Sequence, residues 1–181
     1  NGGFTWKEPV TLPSNDLAFR VNAVNPPVCS AAQAFPAVLW SPKHQFVPVV
    51  VMGVTDPDGD PVTITVTSVT QDEPVNAKGD GNTSPDAVIQ AGSASVRAER
   101  SGTGNGRVYQ ISFRADDGKG GSCTGAVKVG VPHSMKVGLA AIDDGQIYDS
   151  TVEANREHKG TENREHKEAE HDEHKEAEHR K

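Results

Sequence analysis

The feature that most constrains this chain is a repeat of two. Val62, Ile64 and Val66 alternate with Thr63, Thr65 and Thr67, and Tyr109, Ile111, Phe113 and Ala115 alternate with Gln110, Ser112 and Arg114. Cys123, Gly125, Val127, Val129 and Val131 alternate with Thr124, Ala126, Lys128 and Gly130 in the same way. Successive side chains of a strand point to opposite faces, so runs like these bury one face and wet the other. Threonine suits the wet face. Within Phe46–Val54 the same reading puts Phe46, Val50, Met52 and Val54 together on a buried face. Between the runs stand Asp56-Pro-Asp-Gly-Asp-Pro61, Gly79–Asn82, Gly102–Gly106 and Asp116–Gly121, all of them turn chemistry. Gly102–Gly106 reads as the loop of a hairpin. No segment of the body shows a helical period. Short strands at this spacing predict an all-β fold, an Ig-like antiparallel β-sandwich.

The pattern stops at both ends. From Asn155 onward there is no Val, Ile, Leu or aromatic residue, only three near-copies of an eight-residue unit beginning at Arg156, Arg164 and Asp172. A segment with nothing to bury cannot share the core. It carries His158, His166, His171, His174 and His179, so capture of Zn²⁺ or Ni²⁺ stands beside a plain solvated extension. An eight-residue unit drifts about 80° per repeat around a helix, which rules out a continuous stripe and a coiled coil. At the other end, Leu17–Val21 is one alternating run ahead of Asn25-Pro26-Pro27. A lone strand is not stable in water, so it is expected to add to the body, to a preceding domain or to a neighbouring molecule. The start at Asn1, with neither an initiator Met nor a signal-peptide pattern, suggests a processed product or a fragment of a longer protein. The expected organisation is residues 1–24 as N-terminal strand and linker or the end of a preceding domain, 25–150 as the sandwich, and 151–181 as a charged His/Glu/Lys octad-repeat tail.

Charge and apolar content narrow the function. A net charge of −7, from 18 basic and 25 acidic residues, offers no basic face for nucleic acid or an anionic membrane. No run approaches the roughly 18 apolar residues of a spanning helix. The chain holds no G-x-S-x-G, no H-E-x-x-H and no phosphate-cradling glycine loop, and its two body histidines, His44 and His133, sit beside Pro-containing loops. The expected activity is therefore non-catalytic.

The candidate chemistry is calcium. Asp56, Asp58 and Asp60 place three carboxylates at alternate positions of one turn, and hard cations prefer clustered oxygens. This is not an EF-hand, since the twelfth position from Asp56 is Thr67 rather than a bidentate Glu. Further ligands would have to come from Asp116, Asp117, Asp72, Glu73 or Asp80. Asp, Pro and Gly are also simply what turns are made of, so both readings stand. The two cysteines, Cys29 and Cys123, are either bonded or a pair of small buried hydrophobes.

Longer stretches resemble known modules. Asn25-Pro-Pro-Val-Cys29, Leu39–Val49 and Asp116–Cys123 running into a Val-rich strand resemble hyaline-repeat (HYR)-like Ig modules, and Val54–Val62 is similar to the inter-strand turn of bacterial cadherin-like repeats. The resemblance covers about residues 25–135. It implies a Cys29–Cys123 disulfide tying the first strand to the last, and with it an oxidising compartment and a secreted or cell-surface, bacterial protein. It also implies that Asp56–Asp60 and Asp116–Asp117 converge at one end of the sandwich.

Three functions follow as expectations. The first is an extracellular structural or adhesive module, stabilised by Ca²⁺, whose partners are other domains of a larger secreted protein. The second is a self-assembling fibre or surface-layer subunit whose N-terminal segment adds as a strand to a copy of itself. The third is an accessory, carbohydrate-binding domain of a secreted enzyme; of its aromatic candidates Trp6, Trp40, Tyr109 and Tyr148, most read as buried. None of the three requires nucleic acid or membrane insertion.

Overall fold

The computed structural model describes residues 24–76, 79–136 and 140–153. The expected strand Leu17–Val21, Trp6 and the histidine-rich repeats lie outside the described residues. Eight strands occur in the order β1 (Gln33–Phe35), β2 (Phe46–Met52), β3 (Thr63–Gln71), β4 (Ala87–Gln90), β5 (Ser93–Arg97), β6 (Gly106–Asp116), β7 (Ser122–Pro132) and β8 (Tyr148–Asp149). They form two four-stranded sheets, β1-β2-β5-β4 and β7-β6-β3-β8, in which every strand pair is antiparallel. The all-β, Ig-like sandwich is what the alternation predicted.

The period-two series fill the space between the sheets. Tyr109, Ile111, Phe113 and Ala115 of β6 and Val127, Val129 and Val131 of β7 are buried, facing Val49, Ala94 and Val96 of the other sheet. In β3 the inward set changes phase: Val66 points in, then Val69 and Gln71. A bulge between Val66 and Ser68 inserts the extra residue that causes the switch.

Three readings are corrected. Strand β2 turns Val49 inward, 1% exposed, with Val47 and Val51 partly buried beside it, and leaves Phe46, Val50 and Met52 on the outer face. The run Phe-Val-Pro-Val-Val-Val-Met is apolar at every position, so alternation holds no phase information there, and pairing of Val49 with buried Ala94 decides the face. Val54 does reach the core, because Gly53 breaks the strand with φ +81°, where an added Cβ would run into the Ala31 carbonyl oxygen. Gly102–Gly106 is not a hairpin loop. It crosses from β5 in one sheet to β6 in the other. Trp40 is 51% exposed rather than buried, since Leu39 takes the inward position of the segment that bridges to Gly130 of β7.

Cys29 and Cys123 are bonded, their Cα atoms 6.0 Å apart. The bond joins the segment ahead of β1 to the start of β7, across the sandwich.

Candidate metal site and a buried ionic cluster

Asp56–Asp60 follow β2 and lead into β3. Among the described residues, these three aspartates form a group whose oxygen atoms lie within 4.8 Å of one another. The turn is held by its own side chains: Asp56 Oδ1 accepts from the backbone N–H of Asp58 at 2.8 Å and of Asp60 at 3.3 Å. Asp58 is committed elsewhere, accepting from the Asn25 backbone N–H at 2.7 Å and from its Nδ2 at 2.8 Å. Those bonds, the backbone one first, hold the Asp58 carboxyl below the usual range. Asp60 joins the turn through its backbone N–H to Asp56.

Asp116 and Asp117 lie in the β6–β7 hairpin and outside that 4.8 Å group. Asp116 accepts from Gly118 N–H and Arg114, which lower its pKa in that order. Asp117 is buried; its Oδ1 accepts from Lys119 and Gly121 N–H. A Cβ on Gly121 would overlap Asp117 Oδ2 and stand 2.8 Å from Pro26 Cα. Residues 25 and 26 therefore run between the two acidic loops, touching Asp58 on one side and the Asp117 hairpin on the other. Two oxygens at this end, Asp56 Oδ2 and Asp117 Oδ2, are buried without a hydrogen-bond partner. Orphan anionic oxygens are what a bound cation satisfies, so the donor set fits a hard cation.

Asp72, Glu73 and Asp80 are at the opposite end, past the far end of the nine-residue β3, and cannot contribute there. Asp72 accepts from the backbone N–H groups of Val108 at 2.9 Å and Asp144 at 3.3 Å, whereas Glu73 and Asp80 belong to a structure that sequence reasoning missed. Arg107, fully buried, stands first in the inward series that continues through Tyr109, Ile111, Phe113 and Ala115. Its Nε donates to Glu73 at 3.0 Å, Nη1 to Asp86 at 2.8 Å, to Glu99 at 3.2 Å and to the Tyr109 hydroxyl at 3.3 Å, and Nη2 to Asp80 at 3.3 Å. Arg97 lies 4.0 Å from Asp86 and 3.8 Å from Glu99. Burial opposes the charge on Arg107, yet Tyr109, Asp86 and Glu73 around it raise its pKa. The signal was present: an arginine two residues before Tyr109 in a period-two series must share the buried face, and a buried guanidinium requires acidic partners.

A family profile described as the bacterial Ig domain matches residues 25–130. The chain belongs to the bacterial Ig domain family. No curated protein and no solved structure matches it. Bacterial Ig domains are β-sandwich modules whose usual role is structural, and both the family and the disulfide are compatible with an extracellular or surface location.

A cavity of about 510 Å³ lies beside β7, lined mainly by apolar residues such as Val38, Val108, Pro132, Met135 and Ala141, with Lys128 and Asp143, paired at 2.7 Å, also in its lining.

Proposed function

We propose that residues 25–150 are a non-catalytic spacer module of a larger secreted or surface protein, with residues 1–24 leading in from a neighbouring domain and 151–181 leading away. The observation that carries this reading is the double fastening of the lead-in segment. Asn25 is clamped by Asp58, and four residues on, Cys29 is covalently tied to β7. Tension applied at Asn25 passes through the disulfide into the sheet's longest hairpin and bypasses the short β1 and the crossing to β3. A covalent shortcut of this kind suits a domain that must hold distance between its neighbours, and it requires an oxidising compartment.

The cadherin-like turn supports a finer proposal, that Ca²⁺ binds at Asp56, Asp58 and Asp60 with Asp116 or Asp117 completing the shell. The cation would stiffen the end at which residues 25–26 join the sandwich. Sites in extracellular modules bind at roughly 10⁻⁴–10⁻³ M, and a ligand at a hundred times its dissociation constant adds about 2.7 kcal/mol. Millimolar Ca²⁺ is therefore expected to raise the melting temperature, chelator to reverse it, and Mg²⁺ to substitute poorly. Asp60→Asn removes one ligand and leaves the Asp56 turn and the Asn25 clamp in place, so it is expected to abolish the response without unfolding the protein. Indifference to millimolar Ca²⁺ would reduce these aspartates to turn residues.

A second reading, strand addition between copies, is favoured by the edge of the larger sheet. Strand β7 is 11 residues long, and among the described residues its outer side is paired only at Gly130, through a bridge to Val38. A long open edge is what a donor strand requires.

A further inference from the structure

We propose that Asp86 and Glu99 form an acid pair that holds one proton inside the Arg107 cluster, and that loss of this proton releases strand β8, making the domain's C-terminal anchorage sensitive to pH. Charge counting is the first support. Glu73, Asp80, Asp86 and Glu99 converge on Arg107, and Asp80, Asp86, Glu99 and Arg107 have side chains with no exposure at all. Arg97 is the second cation within 4.0 Å. Four carboxylates against two guanidinium groups leave an excess of two negative charges in a dry site, which burial penalises heavily. One bound proton halves the excess.

Hydrogen bonding places the proton. Asp86 Oδ2 is occupied, accepting from Arg107 at 2.8 Å and from Gln71 Nε2 at 2.7 Å. Asp86 Oδ1 is buried with no donor to it. An ionised Asp86 would leave that oxygen a buried anion without a hydrogen-bond donor, with Arg97 Nε standing 4.0 Å away. A protonated one turns it into a donor, and Glu99, which shares Arg107 Nη1 with Asp86, is the neighbouring acceptor. The other groups facing the pair do not replace it: Thr83 Oγ1 donates to Glu99 Oε2, His44 Nδ1 lies 3.3 Å from the same oxygen, and the Tyr109 hydroxyl donates to the Arg97 carbonyl at 2.8 Å. Burial foremost, then the hydrogen bond to Glu99, pushes the Asp86 carboxyl up to about 7.

The pair sits where it can act on the fold. The backbone N–H groups of Asp86 and Ala87 donate to the Ser150 carbonyl, at 2.8 and 2.7 Å, and Ser150 N–H returns to Val69. Ile147 N–H donates to the carbonyl of Gln71, whose side chain holds Asp86. Strand β8 is only two residues long, paired to Thr70 and Gln71. Its attachment therefore depends on the position of Asp86. The linkage has a definite sign. The folded chain keeps a proton that the unfolded chain releases above the ordinary aspartate range, so stability falls as pH rises from about 4 to about 7 and levels off above that.

Urea unfolding of the full chain between about pH 5 and pH 8 tests this. The unfolding constant of the wild type is expected to rise by up to about tenfold per pH unit below the pair's midpoint, and by much less above it. Asp86→Asn, which resembles the protonated acid in shape, is expected to flatten that slope. His44→Asn, which keeps a residue tolerant of the left-handed backbone there, φ 57°, is expected to retain it. Hydrogen exchange at residues 147–150, corrected for the intrinsic pH effect, should quicken across the same interval in the wild type. Should Asp86→Asn fail to fold, ¹³C carboxyl titration of the wild type decides directly, with one aspartate signal moving near neutral pH. A wild-type slope that survives Asp86→Asn but disappears in His44→Asn overturns the proposal, as does an Asp86 carboxyl that titrates in the ordinary aspartate range.

Discussion

Replacing Arg107 with methionine is the sharpest test of how this sandwich is closed at its carboxylate-rich end. The side chains are similar in length, so the change removes charge and donors more than volume. In the wild type the guanidinium makes hydrogen bonds to Glu73, Asp80, Asp86 and Glu99 at distances from 2.8 to 3.3 Å. With methionine in place, three fully buried carboxylates are left with Arg97, no nearer than 3.8 Å, as the cation beside them. Removing one partner from a buried ion network costs roughly 3–5 kcal/mol. For a body of this size that is a drop in melting temperature on the order of 10–20 °C. The loss also has a pH signature. Carboxylates stripped of their counter-ion take up protons more readily in the folded state, so the deficit should be largest at about pH 7 and shrink by about pH 5. Urea denaturation followed by far-ultraviolet circular dichroism at the two pH values measures both. A deficit below about 1 kcal/mol at neutral pH, or one equal at both pH values, would refute the assignment of Arg107 as the cluster's organising charge.

Two other predictions concern the core and its covalent tie. Val49→Ala is expected to cost about 1–3 kcal/mol while Val50→Ala, on the outer face, stays within about 0.5 kcal/mol, and equal losses would contradict the assigned face of β2. Replacing Cys29 and Cys123 together by serine should cost about 2–4 kcal/mol, with about 4.7 kcal/mol as the chain-entropy ceiling for a separation of 94 residues; unchanged stability in urea would show that the sandwich does not depend on the bond.

The layers of this fold were legible wherever one face of a strand was polar. From Tyr109 onward in β6 and along β7, Thr, Ser, Gln, Arg and Lys mark the wet side, and the inward residues follow. Strand β2 defeats the same logic because its apolar residues occupy both faces, and only its pairing with β5 chooses between them. Gly102–Gly106 has the composition of a hairpin, but turn chemistry says that a chain reverses, not which sheet it returns to. The aspartate turn was legible as a local motif: Asp56, Asp58 and Asp60 do gather. The clamp on Asn25 was not, since it joins residues 33 positions apart. The Arg107 cluster draws its acids from positions 73, 80, 86 and 99, spread over the β3–β4 connection and the segment just after β5, and no spacing rule joins them. Its one local sign, a charged residue in register with Tyr109, Ile111 and Phe113, becomes meaningful only when the buried face is taken to extend to the start of the strand.

As a proposed spacer within a longer chain, this bacterial Ig domain is expected not to polymerise. Light scattering coupled to size-exclusion chromatography of the full chain, across about a hundredfold range of concentration, tests it most directly. A single monomeric species of 19.2 kDa is expected at every concentration, with or without Ca²⁺. Concentration-dependent oligomers or filaments that disappear on deleting residues 1–24 would contradict it, and would assign the open edge of β7 to strand exchange between copies.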